Sequence, residues 1–144
     1  MITESRKAAR QALAALLTSA LVGPSGLASQ VYDCQPGDFG GQSPVVTVSS
    51  GGTQRVNMTF QGTKPTFWLN VHIFVLYATE DKTWTEEMAE NALDDIEQTI
   101  AGVIEANRHT SSWDFAIQAD RSQATSVVIG GLEYRMEVIS VQLD

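Results

Sequence analysis

From Phe67 to Ala78 the chain alternates without a break. Phe67, Leu69, Val71, Ile73, Val75 and Tyr77 fall on one side, and Trp68, Asn70, His72, Phe74 and Leu76 on the other. A period of two over that length dictates a strand, because successive side chains point to opposite faces of a sheet. One face is wholly apolar or aromatic and demands burial, while the other is mixed. The strand therefore belongs in mid-sheet, with one side on the core and the other partly wet or against a partner.

The rest of the chain supplies what packs on that strand. Ala9, Leu13, Leu16, Leu17, Ala20 and Leu21 recur at helical spacing, and Gly23-Pro24 closes the helix. Arg6, Lys7 and Arg10 ahead of an apolar stretch also outline a secretory leader. Glu4 in the basic region and the helical patterning favour an amphipathic first helix instead. A short strand is expected over Leu27 to Asp33, then loop chemistry from Gln35 to Gly41. A second strand follows from Pro44 to Val48, a turn at Ser49 to Thr53, and a short strand from Val56 to Phe60 ending at Gly62 to Pro65.

Thr83 and Glu86 have capping-box spacing and open a long helix. Its expected buried stripe is Met88, Ala92, Ile96, Ile100 and Val103, widened by Leu93 and Ile104. The last third reads as β: Trp113, Phe115 and Ile117, then Thr125 to Ile129, a Gly130-Gly131 turn, and a final strand from Leu132 to Leu143. That last strand changes phase, since Tyr134, Met136 and Val138 share one face and Ile139, Val141 and Leu143 the other. Either the strand bulges or is buried on both sides, or its end leaves the core to meet a neighbouring subunit. The order of elements predicts one α+β domain over residues 1–144, a mainly antiparallel sheet with two helices packed on it.

Charge and chemistry narrow the function. With 9 Lys and Arg against 17 Asp and Glu, the net charge is −8. An acidic chain repels phosphate backbones, which argues against nucleic-acid binding. No apolar run reaches the roughly 20 residues that span a bilayer. His72 and His109 are the only imidazoles and neither has metal-ligand spacing. Cys34, the only cysteine, stands beside Asp33, which opposes thiolate formation, and is expected as a small buried or half-buried side chain. The glycine pairs at 40–41, 51–52 and 130–131 match neither a P-loop nor a dinucleotide fingerprint. Nine of the 17 acids lie between Glu80 and Glu105 with Lys82 as the only base, largely on the exposed face of a helix. No catalytic residue, metal site or cofactor site is expected from these residues, and the chain is expected not to be an enzyme.

The order of pieces resembles the tail-terminator, or tail-completion, proteins of long-tailed phages. The stretches that carry it are the Arg/Lys- and Ala-rich first helix, Val31-Tyr32-Asp33, Ser43-Pro44-Val45-Val46, and the long apolar strand. Ala89-Glu90 with Asp94, Trp113, and Gly130-Gly131-Leu132-Glu133-Tyr134-Arg135 through Val141 complete it. The segment Gly51 to Pro65 is longer than the family pattern.

The resemblance implies a virion structural protein in the tail, assembled in the host cytoplasm. Its partners would be further copies of itself in a hexameric ring, the major tail tube protein and the head–tail connector. The ring would cap the tube, end its polymerisation and present the head-joining surface. Expected subunit contacts are Trp68, Phe74, Leu76, Ile139, Val141 and Leu143. Phe39, Gly40, Gly41, Arg55 and Lys64 are the expected contacts with tube or connector. The competing readings are another neck component, or a small enzyme or ligand-binding α+β protein with a site assembled from scattered residues.

Overall fold

The computed structural model describes residues 5–23, 26–58, 62–77, 79, 83–113, 115–119 and 122–144, with the backbone alone for 56–58 and 62–64. Helix α1 spans Arg6–Leu21, and strands β1, Gln30–Tyr32, and β2, Val45–Met58, follow it. Then come β3, Gly62–Leu76, helix α2, Glu86–Ala106, and strands β4, Ala116–Gln118, β5, Gln123–Ile129, and β6, Leu132–Leu143. The fold is α+β, with two helices on a six-stranded sheet ordered β1-β2-β3-β6-β4, and β5 joining β6 on the same side as β4. Every pairing is antiparallel except β1 with β2.

The long alternating strand is central, as its pattern requires. Phe67, Leu69, Val71, Ile73 and Val75 face the helices and are buried there with Val46, Val48, Ile139, Val141 and Leu143. Helix α1 contributes Ala9, Leu13, Leu17 and Leu21 to this core. Helix α2 contributes Ala89, Leu93, Ile96, Ile100 and Ile104. That stripe is rotated from the expected one: Ile96 and Ile100 hold, but Met88 is 46% exposed and Ala92 and Val103 lie at the margin. The helix also begins later than the capping box implied. Thr85, not Thr83, is its N-cap, its hydroxyl accepting from the Met88 N–H at 3.2 Å.

The expected turn at Ser49 to Thr53 does not form. Strand β2 runs straight through it with a bulge between Ser50 and Gly52 and pairs with β3 as far as Met58 and Gly62. The glycines there serve the bulge. A Cβ on Gly51 would stand 3.0 Å from the Trp68 carbonyl oxygen, and Gly52 takes φ +152°. The expected break at Gly62 to Pro65 is likewise strand, and of the expected strand Val56 to Phe60, residues 59 and 60 lie outside the described residues. Strands β2 and β3 thus form a two-stranded ribbon continuing past the sheet, since β6 pairs with β3 only from Phe67 onward.

The phase change in β6 has a simple cause. Its pairing with β3 runs unbroken from Phe67↔Leu143 to Leu76↔Tyr134, with no bulge. The strand is buried on both sides in different halves. Ile139, Val141 and Leu143 lie under the helices, while Tyr134 lies on the opposite face beneath the loop carrying Phe39.

Candidate interaction surfaces

The face of the sheet turned away from the helices divides into a covered half and an open half. In the covered half, the loop between β1 and β2 folds back over β3 and β6. Phe39 meets Phe74 at a centroid distance of 4.9 Å and Tyr134 edge-on at 5.5 Å, closing a small core with Val45 and Leu76. The Asp38 carboxylate accepts from the Gly40 N–H at 2.8 Å, and the Tyr32 hydroxyl donates to Gln42 Oε1 at 2.7 Å. These bonds pin the loop from both ends of the turn.

Coverage by this loop corrects several expectations. Phe74 is wholly buried and Leu76 nearly so, hence neither is free to meet a second subunit. Phe39 is a core residue of the loop and does not present its ring to a tube or connector, although Gly40 and Gly41 beside it are exposed. Ile139, Val141 and Leu143 are each 0% exposed in the helix-side core, which removes them as a subunit patch. A strand of alternating residues fixes which side chains share a face, but only the tertiary fold decides what covers that face.

The open half keeps Trp68. With Asn70, His72, Val138, Ser140 and Gln142 it forms a half-buried strip that no helix covers. Trp68, Ile117, Ala119, Ser140 and Gln142 line a shallow open groove of about 230 Å³. Within this strip Thr47 and His72 are opposite one another across β2 and β3. The Thr47 hydroxyl and His72 Nδ1 are both buried without a hydrogen-bond partner. His72 stacks on Phe74, with planes 7° apart, and burial pushes its pKa below the ordinary imidazole value.

On the helix side two further surfaces stand at opposite edges of the sheet. Over β2, Arg6 Nη1 donates to Thr53 Oγ1 at 3.0 Å and Arg10 Nη1 to Ser50 Oγ at 3.3 Å. Arg55 is exposed two residues further along the same face of the ribbon; Lys64 is paired opposite Val56, its side chain outside the described residues. Beyond β6, Arg135 Nε is 2.8 Å from Glu90 Oε1, the one ion pair among the described residues. Glu97 of α2 and Glu137 of β6 lie close enough to raise the Glu97 pKa. Desolvation is the main cause, followed by the Glu137 and Asp94 charges, with a Gln118 hydrogen bond opposing them.

Chemistry-bearing groups do not gather. Among the described residues no three of His, Cys, Asp and Glu are placed to hold a metal ion. Cys34 is a free thiol and exposed, contrary to the expected burial: the loop that covers Phe74 turns its polar backbone and Cys34 outward. His109 packs on Phe115 at 5.6 Å beyond the end of α2. Among the described residues no helix is long and apolar enough to cross a membrane. No protein-family model matches this chain, and no curated protein sequence matches it.

Proposed function

We propose that this chain acts through shape-matched protein surfaces, as a ring-forming structural subunit of the kind that caps the tail tube of a long-tailed phage. The observation that carries the reading is the open half of the sheet, where the half-buried Trp68 strip borders a shallow groove and no described helix covers it. A stable subunit contact removes on the order of 800 Å² from each partner. A flat strip with a tryptophan, small polar side chains and few charges suits the centre of such a contact. The ribbon of β2 and β3, extending past the sheet, suits a reach onto a neighbouring copy or the tube, and closing a ring requires contacts of this unlike, head-to-tail kind. On this reading the partners are further copies of the chain in a hexamer, the tube protein and the head connector; the virion tail is the site of action and the reaction repertoire is empty.

Native mass spectrometry with negative-stain imaging, alone and with purified tail tube, tests the reading. A closed ring, free or seated on tube ends, is expected. A strictly monomeric species that leaves tube ends bare overturns it, and preferential binding to portal complexes moves the protein to the neck instead.

A further inference from the structure

Five of the nine bases but only three of the 17 acids precede residue 80. Between residues 5 and 32 there are three bases and no acid, and between 39 and 79 two bases and no acid. Helix α2 carries seven acids (Glu86, Glu87, Glu90, Asp94, Asp95, Glu97, Glu105) and no base. The sheet order converts this segregation along the sequence into segregation in space. Helix α1 packs over β1 and β2, helix α2 over β3, β6 and β4, so the two charge sets occupy opposite edges of the molecule.

Among the described residues, each edge has charges that form no ion pair. On the basic edge Arg6 and Arg10 reach only the hydroxyls of Thr53 and Ser50, Arg10 Nε is buried with no partner, and Lys7 and Arg55 are exposed. None of these four cations forms an ion pair with a described residue. On the acidic edge, α2 stops short of covering β5. Ala124, Ser126 and Val128 face the helix side of the sheet there and are exposed, Val128 at 67%. They make the floor of a shelf whose wall is the side of α2 bearing Glu90, Asp94 and Glu97. Among the described residues the base in that shelf is Arg135, held by Glu90, and the nearby Glu137 and Asp94 charges bear on Glu97 with only the neutral donors Ser122 (to Glu137, 2.6 Å) and Gln118 (to Glu97) opposing them. A shelf with an exposed floor of small side chains and Val128, and like charges on its wall, favours a partner that brings cations.

We propose that the partner is a second copy of this chain: the basic edge of one copy, with Lys7, Arg10 and Arg55, docks on the α2–β5 shelf of the next, against Asp94, Glu97 and Val128. The two surfaces differ and lie at opposite edges, so the contact is heterologous and repeats from copy to copy until a ring closes. This assignment rests on the ring reading above and adds a helix-side contact to the one proposed there for the Trp68 strip.

The test reverses each edge separately. Lys7→Glu with Arg55→Glu makes a copy acidic at both edges; Asp94→Lys with Glu97→Lys makes a copy basic at both. Each variant alone is expected to weaken association by about tenfold or more, measured by native mass spectrometry and sedimentation at low salt. An equimolar mixture of the two is expected to regain the wild-type ring mass, because alternation restores both contacts around an even-numbered ring. Circular dichroism checks that each variant folds. Should the reversed forms fail to fold, Lys7→Gln with Arg55→Gln and Asp94→Asn with Glu97→Gln give the same comparison without new charges, each expected to weaken association.

Wild type that assembles while the reversed or neutralised variants assemble equally well overturns the edge assignment and leaves the ring standing. So does a mixture that fails to recover from two folded variants. Wild type that stays monomeric at every salt and protein concentration, or stops at a two-fold dimer, overturns both.

Discussion

Replacing Ile139 by alanine removes a side chain with no solvent contact, packed opposite Val71 beneath the helices. The loss of transfer energy and the cavity left behind cost about 2–5 kcal/mol, to be read as a lower midpoint in denaturant unfolding. Trp68→Ala, on the open strip, is expected to cost less stability than Ile139→Ala and to impair assembly instead. His72 gives a pH signature. Its neighbours across the two adjacent strands are Thr47 and Val138, and on its own strand Asn70 and Phe74, none of them charged. Burial holds its pKa in the fold below that of the unfolded chain, so the unfolded state takes up the proton first as acid is added. The stability that neutral His72 contributes is present above about pH 6.5 and is lost as the pH falls below it. His72→Gln is expected to flatten that part of the stability–pH curve, measured by urea unfolding at several pH values. The sequence placed His72 in mid-strand as a structural side chain, but could not say that Nδ1 would be left without a partner. That depends on Thr47, 25 positions away in the chain.

Turns and caps carry the next set of expectations. Gly130 and Gly131 join β5 to β6 with φ +60° and +79°, which side chains with a Cβ resist. Gly131→Ala, with open space around it, is expected to cost about 1 kcal/mol. Gly130→Ala is expected to cost more, because its Cβ would fall 2.6 Å from Asp38 Oδ1 and push on the loop that roofs Phe74 and Tyr134. Thermal unfolding of the two single variants measures the difference. Thr85→Ala removes the cap of α2 and is expected to cost about 1 kcal/mol. At this scale the sequence was legible wherever the signal was local. The helix around Ile96 and Ile100, the Gly-Gly turn and the alternation of β3 all formed as read. It misled at Gly51-Gly52 because a turn and a bulge draw on the same residue type. Only the pairing partner, β3 with its Trp68 carbonyl, distinguishes the two.

For the whole molecule, the layering of two helices on a mainly antiparallel sheet followed directly from the order of the periodic segments. The surfaces did not, because they depend on which loop covers which face. The fold of Gln35 to Gln42 over Phe74 and Leu76 removes a patch that alternation alone would leave open, and leaves Trp68 as its remnant. That asymmetry has an optical consequence. Trp113 is 2% exposed and donates its Nε1–H to the Asn107 carbonyl at 2.8 Å, so it is already shielded. On the proposed assembly Trp68 loses water, and the emission maximum of the chain is expected to shift to shorter wavelength, a shift absent in Trp68→Phe. The ribbon has a consequence of another sort. Past Thr47 strand β2 has no described strand on its outer side, and β3 before Phe67 has only β2. Two bare rows of amides invite runaway stacking into fibrils. The bulge at Ser50/Gly52 twists one row out of plane, and Pro65 deletes a donor from the other. The projection is thereby kept extended but made a poor template for amyloid-like growth.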